Sequence, residues 1–511
     1  MPHHVAPLSI VDQRMPFFPT PIWLAFPTSS SATTLYTLQQ GLKATVHQLP
    51  FLSGFVYEDP KNQDLSTLYW DDMSASSGVP WEKLSYDENM PTYKSLASRN
   101  MPIEEAAQNL HPKSFQNSDS NNGMPVLVAA FAKIVGGLIV LIAAHHHVMD
   151  GGGQEILLRL WAANTRNLLD SASQGLEKMP QVPCAVPQDE PLHRSQKIKQ
   201  MVQLVDEVSS SVSRENLVLP RWPEGTGKMR PTPPLNAVTK LLRFSNTKLM
   251  ALRSVLQQYT QQPFSINTLV SALIWTFVSQ VRYLRLKQTR GDTSDVDPEQ
   301  LVSELVMLAN SRPGLQAQGL LSEGTWMGNL YVELSPRPFL PFRELYSPER
   351  TQLEVALDLA GQTVDITLPS CIIDTIDIIT GMLAGLTPQG LKEWVTQKES
   401  LVRVDDPSFS YRSLRNMREQ ACLGLDFVIT SWSNFDYYPD FGPDVGRPEF
   451  VRQPCGPAML NGFAIFLPRK RAAHGFSAQD VDAFEMLLSL RRDDLQIVEE
   501  GDAFRALLLS S

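Results

Sequence analysis

The sequence predicts a mixed α/β protein of two domains joined by a long crossover, and three observations lead to this fold class. The chain has 511 residues, which is too long for one compact core. Strand-like and helix-like segments alternate in both halves. A proline-rich stretch separates these halves. We therefore place the first domain at residues 1–175, the crossover at 176–235 and the second domain at 236–511.

Composition and charge narrow the class of protein. With 43% hydrophobic and 19% charged residues the chain has a globular composition, and its formal net charge of −10 argues against general affinity for nucleic acid or anionic membranes. The four cysteines form no CxxC pair, so neither a zinc site nor a disulfide framework is indicated, and a cytoplasmic, reducing compartment is expected. The first residues lack the pattern of a secretory signal. The apolar stretch from Val126 to Ala144 contains Lys133 and a Gly-Gly pair, which favour a buried hairpin over a membrane span.

The first domain begins with a strand, a helix and a strand. Pro21–Pro27 has the pattern of a short strand, and apolar residues at helical spacing predict a helix from Thr33 to Gln48, which Pro50 ends. A second strand is predicted at 51–57. The polar, irregular stretch from 86 to 124 is interpreted as a surface excursion.

A hairpin and a helix follow. Two β-rich runs, 125–135 and 138–144, are separated by Gly136-Gly137, a pair suited to the positive-φ positions of a two-residue turn. The second strand leads directly into the heptapeptide from His145 to Gly151. Beyond it, apolar residues at helical spacing predict an amphipathic helix that ends near Leu169.

The crossover contains nine prolines between residues 171 and 234, which predicts an extended, stiff segment. The second domain again alternates strands and helices. Its predicted elements are a strand at 238–244, helices at 248–259 and 269–278, a charged loop at 287–300, strands at 305–309, 330–334 and 427–431, and a last helix at 478–491.

The candidate chemistry lies in His145-His146-His147-Val148-Met149-Asp150-Gly151. Along a strand, His145 and His147 would share one face and His146 the other, and the four-residue spacing to Asp150 selects His146. A neutral imidazole can take a proton from an alcohol or amine that attacks a carbonyl. Two alternatives stay open: a purely structural histidine cluster, and a metal site of His145, His147 and Asp150. Asp150 would also suit the N-cap of the following helix.

Other catalytic motifs are missing from the sequence. No GxSxG elbow and no candidate catalytic cysteine with an ordered partner is present, so a covalent acyl-enzyme is not supported. There is also no GxGxxG and no P-loop. Direct transfer, with a base and no nucleophile, is the chemistry that remains.

Five segments of the chain resemble motifs of one family and occur in the same order as in that family. His145–Gly151 matches the HHxxxDG signature of the chloramphenicol acetyltransferase-like superfamily. Asp440-Phe441-Gly442, followed by Gly446-Arg447-Pro448, is similar to the DFGWG element of the BAHD acyltransferases, in the looser form of their fungal relatives. The further matches are Leu8–Gln13 with the family's opening, Ser271–Trp275 with its SALIW stretch and Asn310–Pro313 with its N-x-R segment.

This resemblance implies two chloramphenicol acetyltransferase-like domains, each a mixed β-sheet with flanking helices, with a solvent channel between them. His146 would be the general base for attack on the thioester of an acyl-coenzyme A. Asp150 would point away from the substrate and pair with Arg312. Asp440, the third candidate catalytic residue, would act mainly as a structural anchor away from the reacting centre, as it does in the family. Pro443-Asp444-Val445 replaces the motif's tryptophan here, so no contribution from that tryptophan is expected.

The resemblance also implies the substrates. Acetyl-coenzyme A would be the co-substrate, with no tightly bound cofactor or metal, and the acceptor would be a hydroxylated specialised metabolite bound by a monomer. Lys248, Ser265 and Thr268 are candidates for holding the coenzyme A phosphates, although simple helix capping explains the two hydroxyls equally well. Ser431 and Ser433 are candidate oxyanion donors. The alternatives are a free-standing condensation-type enzyme that uses a carrier-bound donor, and a non-catalytic binding protein on the same fold.

Overall fold

Two mixed β-sheets, each flanked by helices, form the body of the structure, which is a computed structural model. The residues that it describes are 3–13, 15, 17–28, 32–58, 65–71, 78–84, 91–102, 123–174, 187, 190–208, 237–288, 302–335, 340–341, 352–359, 361–402, 426–454 and 461–509.

The described helices are α1 (Ile10–Gln13), α2 (Ala32–Gln48), α3 (Tyr93–Ala97), α4 (Gly151–Gln174), α5 (Arg194–Val208), α6 (Asn246–Leu256), α7 (Ile266–Gln288), α8 (Arg312–Ala317), α9 (Cys371–Ala384), α10 (Pro388–Val402), α11 (Ala478–Asp482), α12 (Arg492–Glu500) and α13 (Asp502–Leu507).

The described strands are β1 (His3–Pro7), β2 (Pro19–Phe26), β3 (Phe55–Glu58), β4 (Ser66–Asp71), β5 (Trp81–Lys83), β6 (Met124–Pro125), β7 (Leu127–Ile134), β8 (Gly137–His145), β9 (Ala237–Ser245), β10 (Val302–Ser303), β11 (Leu305–Asn310), β12 (Tyr331–Leu334), β13 (Leu340–Pro341), β14 (Gln352–Leu359), β15 (Gln362–Pro369), β16 (Phe427–Ser431), β17 (Phe450–Arg452), β18 (Phe463–Phe466) and β19 (Ala483–Arg491).

The first large sheet has the strand order β17-β2-β8-β7-β5. Its middle strand, β8, is antiparallel to β2 and β7 and is buried along its whole length. Helices α2 and α4 pack beside it, and the indole of Trp161 donates a hydrogen bond to the Leu38 carbonyl across that contact (2.9 Å). The edge strand β17 comes from the second half of the chain. One sheet therefore contains residues from both halves.

The predicted hairpin is present with its turn moved by one residue. Ile134 pairs with Gly137, so the turn residues are Val135 and Gly136, and only Gly136 has a positive φ, of 82°. Gly137 is needed for packing instead, because a Cβ there would lie 2.1 Å from Cδ2 of Tyr93.

The second large sheet has the order β12-β11-β16-β18-β19-β9. The predicted helix at 478–491 is wrong beyond Asp482, because α11 ends there and Ala483–Arg491 forms β19 between β18 and β9. Every residue of β19 except the last is buried. Six of its nine residues are apolar, and a short, mainly apolar run does not by itself distinguish a strand from a buried helix, which explains the error.

Three other expectations need correction. The crossover is not extended at residues 194–208, where α5 forms and buries Ile198 and Met201 in a core cluster with Trp394. The excursion at 86–124 is not all surface, because α3 buries Tyr93 and Leu96. The predicted strand at 51–57 starts as a 3-10 turn, Pro50–Ser53, before β3. Several predicted segments lie outside the described residues: 86–90 and 103–122 of the excursion, 176–186, 188–189 and 209–235 of the crossover, and 289–300 of the charged loop.

The α/β class with two mixed sheets and flanking helices is confirmed, while the domain limits at 175 and 235 stay a prediction. Within the described part of the chain, no single helix has the length and apolar character to cross a membrane. One bent pair, Cys371–Ala384 with Pro388–Thr396, passes on length and composition alone.

Candidate active site

The candidate site lies at the junction of β8 and α4, next to the contact between the two halves of the chain. Strand β8 ends at His145, residues 146–148 form a turn, and α4 starts at Gly151. The backbone N–H of His146 donates to the Phe18 carbonyl (3.0 Å), which fixes the turn against the residue before β2. The predicted site residues His146, Asp150 and Arg312 meet here.

His145 and His147 are buried, and their rings lie on the same side, with centroids 5.2 Å apart. Nε2 of His147 lies 2.6 Å from the Met15 carbonyl, and Nδ1 of His145 accepts the His147 backbone N–H (3.2 Å). Burial lowers the pKa of both rings, that of His147 to about 4. The described residues contain no group of three side chains that could hold a metal ion. Both rings are thus in contact with the surrounding fold, and a structural role for them stays a prediction.

His146 differs from its two neighbours because the residue is not fully buried. The ring lies edge-on to Phe18, with centroids 6.0 Å apart. Burial lowers the pKa of His146, although its own carbonyl, Asp150 and Asn329 oppose that shift. The imidazole is therefore neutral at neutral pH and able to accept a proton.

Asp150 is fully occupied by hydrogen bonds. Its Oδ1 accepts the Gly153 backbone N–H (2.9 Å) and Nη2 of Arg312 (2.8 Å), and its Oδ2 accepts the Leu330 backbone N–H (2.9 Å) and Nη1 of Arg312 (3.0 Å). Burial raises the pKa of Asp150, but Arg312 and the two backbone donors outweigh burial and the net pKa is lowered. Asp150 is thus both the N-cap of α4 and the predicted ion-pair partner of Arg312.

Arg312 opens α8 and is held on all sides. Its Nε donates to the Trp326 carbonyl (3.1 Å) and its Nη2 to the Gly328 carbonyl (2.5 Å). Asn310 accepts from both the backbone N–H and Nη1 of Arg312, each at 3.1 Å. The N-x-R spacing thus places an amide that orients the guanidinium towards Asp150.

The three glycines after Asp150 let the second half of the chain approach α4. A Cβ on Gly153 would lie 1.9 Å from the Met327 carbonyl oxygen, and one on Gly152 would lie 2.6 Å from Nη1 of Arg312. Real Cβ atoms do not come this close to other heavy atoms. Larger residues would separate the two halves at the site.

The loop after β16 also contacts the start of α4. Tyr437 donates its hydroxyl hydrogen bond to the Gly151 carbonyl (2.6 Å), and the Asp436 backbone N–H donates to Oε1 of Glu155 (2.9 Å). At the start of this loop, Ser431 and Ser433 accept hydrogen bonds from the Asn267 amide (3.2 and 2.9 Å). Their role as oxyanion donors stays a prediction.

Asp440 makes mostly local contacts. Its Oδ1 accepts the Gly442 backbone N–H (2.9 Å), and Arg447 lies 3.7 Å from its Oδ2. Arg166 donates to its carbonyl. The side chain is 44% exposed, and its role as a structural anchor stays a prediction. A part in proton transfer stays a prediction.

The candidate coenzyme A residues have contacts of their own. Nζ of Lys248 donates to the Ala506 and Leu508 carbonyls (2.7 and 3.0 Å), which ties the C-terminal segment to α6. Oγ of Ser265 accepts the Thr268 backbone N–H (3.0 Å), as a cap before α7 does. These contacts account for the three residues within the fold, and their binding of coenzyme A stays a prediction.

Sequence reasoning missed three buried residues beside His146: Asn329, Asp12 and Arg194. The Asn329 amide donates to the His146 carbonyl (2.8 Å), and Nη1 of Arg194 donates to the Val148 carbonyl (2.6 Å). Asp12 lies in the opening segment that resembles the family, which was a usable signal. Arg194 lies in the proline-rich crossover and Asn329 in no recognised motif, so the sequence offered no signal for either.

Comparison with known proteins gives consistent relatives. Residues 20–164 match the family model of the trichothecene 3-O-acetyltransferase-like N-terminal domain. The chain is 24% identical over 498 residues to the trichothecene 8-O-acetyltransferase of Fusarium sporotrichioides, covering 91% of this chain and 90% of that protein.

Solved structures share the fold over the whole chain. TRI101 of F. graminearum, complexed with coenzyme A and deoxynivalenol, superposes with a TM-score of 0.67 at 18% identity, covering 99% of both chains. TRI101 of F. sporotrichioides, complexed with coenzyme A and T-2, gives 0.66 at 18% identity with the same coverage. Vinorine synthase gives 0.54 at 17% identity, covering 99% of this chain and 94% of that one.

The site motif, the matched N-terminal domain, the full-length relative and the shared fold point to one family. In its matched N-terminal domain, its full-length relative and its fold, the chain is similar to the BAHD-type acyltransferases.

Proposed function

We propose that this acyltransferase moves an acetyl group from acetyl-coenzyme A to a hydroxyl of a specialised metabolite. Its full-length relative is named for O-acetylation of a trichothecene, and the two TRI101 structures contain coenzyme A with a trichothecene. A trichothecene or a similarly oxygenated terpenoid is therefore the first acceptor class to test.

One observation carries the proposal: of the three adjacent histidines at this junction only His146 is not fully buried, while Asp150 is occupied by four hydrogen bonds. The neutral ring takes the proton of the acceptor hydroxyl as its oxygen attacks the thioester carbonyl. The tetrahedral intermediate then expels coenzyme A, whose sulfur receives the proton from the imidazolium. Asp150 stays ionised and holds the end of β8 and the start of α4 against Arg312.

The experiment incubates the purified protein with acetyl-coenzyme A and a panel of hydroxylated terpenoids that includes trichothecenes. Release of free thiol and a product one acetyl group heavier are followed together. His146→Ala should abolish both signals, while His47→Ala, which removes an exposed histidine at the end of α2, should leave them unchanged.

Two results would overturn the proposal. One is acetyl transfer that persists in His146→Ala. The other is transfer from an acyl-carrier protein with none from acetyl-coenzyme A, since that is the chemistry of a condensation-type enzyme. A cytoplasmic location and a monomeric state also stay predictions.

A further inference from the structure

Asn329 connects the opening segment of the chain to His146. It lies between α8 and β12 and is fully buried. Its backbone N–H donates to Oδ1 of Asp12 (3.2 Å), and its Nδ2 donates both to the same oxygen (2.8 Å) and to the His146 carbonyl (2.8 Å). One side chain therefore links α1 to the turn that presents the proposed base.

The orientation of this amide is fixed by its surroundings. Both contacts of Nδ2 are to oxygen atoms that can only accept hydrogen bonds, a carboxylate and a carbonyl. Exchanging the amide oxygen and nitrogen would set oxygen against oxygen at both contacts, so the nitrogen must point there. The amide oxygen, Oδ1, points elsewhere.

Asn329 and His146 each have one further buried polar atom, and the two atoms are complementary. Oδ1 of Asn329 and Nδ1 of His146 are both buried, and neither makes a geometric hydrogen bond to another described residue; the carbonyl of His146 itself is the other acceptor close to the ring. A buried donor or acceptor that makes no hydrogen bond destabilises the folded protein. An Nδ1–H donor and an amide oxygen acceptor are complementary and would satisfy each other.

We propose that Asn329 is a positioning residue for His146: its Nδ2 holds the His146 carbonyl, and its Oδ1 accepts the Nδ1 proton of the neutral imidazole. The proton is then fixed on Nδ1, and the lone pair of Nε2 is free to act as the base. The opposite tautomer carries its proton on Nε2 and cannot accept one there. This inference rests on the proposed function, because it explains how the base is kept in its active tautomer.

Two further observations support this role. The side chain of Asn329 raises the pKa of His146 against the effect of burial, as an acceptor that faces a ring N–H does. Asp12, which holds Asn329, is itself held by the backbone N–H and hydroxyl of Ser9 (3.2 and 2.7 Å). Burial raises the pKa of Asp12, and Arg194 partly offsets that shift.

The kinetic test compares Asn329→Leu with Asn164→Leu. Asn164 is also fully buried, and its amide donates to Thr45 and Gln48, away from His146. Asn329→Leu should lower kcat by about 10- to 100-fold and leave the KM for acetyl-coenzyme A within about twofold. It should also move the acid limb of the pH profile to lower pH. Asn164→Leu should change neither. Equal kinetics for the two variants would overturn the inference.

A spectroscopic test does not depend on turnover. Histidine labelled with ¹⁵N reports which ring nitrogen carries the proton, and the His146 signals are assigned by their loss in His146→Ala. The wild type should show a proton on Nδ1, and Asn329→Leu should show a mixture of tautomers. Should Asn329→Leu prove insoluble, Asn329→Ser removes the same acceptor with less bulk. An unchanged Nδ1–H tautomer in the variant would overturn the inference, whereas missing acetyl transfer by the wild type would overturn only the proposed function.

Discussion

Replacing Asp150 with asparagine should destabilise the protein severely, although only one oxygen atom is exchanged. Each carboxylate oxygen accepts two N–H groups: Gly153 and Arg312 on Oδ1, and Leu330 and Arg312 on Oδ2. An amide has one oxygen, so in either orientation its NH2 group faces two donors. Arg312, whose side chain is 7% exposed, also loses its counter-ion.

The size of the effect follows from these contacts. Removing one partner of a buried ion pair costs about 3–5 kcal/mol, because a charge is left buried and unpaired. Counted instead as two lost hydrogen bonds to a charged group, at about 1.5–3 kcal/mol each, the destabilisation is similar. The two estimates describe the same loss and are not added. At roughly 2 °C per kcal/mol, the Tm of Asp150→Asn should fall by about 6–10 °C.

Differential scanning fluorimetry of the purified proteins measures this change. The matched control is Asp440→Asn, since that carboxylate is 44% exposed and an amide oxygen can still accept the Gly442 N–H. Its Tm should stay within about 1 °C of the wild type. A Tm for Asp150→Asn as high as that of the control would refute the reasoning about the Arg312 pair.

Three further predictions concern the packing at Gly153, the titration of His147 and the ion pair between Arg452 and Glu485. Gly153→Ala should abolish soluble expression or activity, because its Cβ would lie 1.9 Å from the Met327 carbonyl oxygen, whereas Gly381→Ala, with open space at its Cβ, should be neutral or stabilising; equal yields would contradict this. The pKa of His147 is about 4 in the folded protein and near 6.5 in the unfolded chain. The contribution of this histidine to the free energy of unfolding is therefore complete above pH 6.5 and is lost as the pH falls towards 4. Urea unfolding of the wild type and of His147→Gln measures this contribution. The difference between their free energies of unfolding should shrink by up to about 1.4 kcal/mol per pH unit below 6.5, and a difference that does not change with pH would refute the prediction. Arg452→Met should lower the Tm by several degrees, because Glu485 on the second sheet loses the arginine that β17 contributes from the first sheet and keeps its pair with Arg243; an unchanged Tm would contradict that coupling.

The sequence predicted the part of the site that depends on local pattern. An apolar strand followed by a polar turn and an amphipathic helix is short-range information, and it located His146 and Asp150 correctly at the junction of β8 and α4. The partnership of Asp150 with Arg312 came from the family resemblance instead. The two residues are 162 positions apart, and no local pattern could have connected them.

The errors have a common cause in long-range packing. The run 483–491 is apolar at six of its nine positions, and its pairing with β9 and β18 makes it a strand. Arg194 lies in the proline-rich crossover, whose composition predicts only an extended segment, although the residue is buried and donates to the Val148 carbonyl in the turn of the site. Asn329 belongs to no motif, and its importance follows from the position of its amide between Asp12 and His146.

The most direct test of the central claim is the dependence of kcat/KM on pH for acetyl transfer by the wild type and by His146→Ala. Burial lowers the pKa of His146, so the wild type should show an acid limb with an apparent pKa below 6.5. His146→Ala should be at least about 100-fold slower on the alkaline side and should show no such limb. The same limb in the variant, at a comparable rate, would contradict the assignment of His146 as the base.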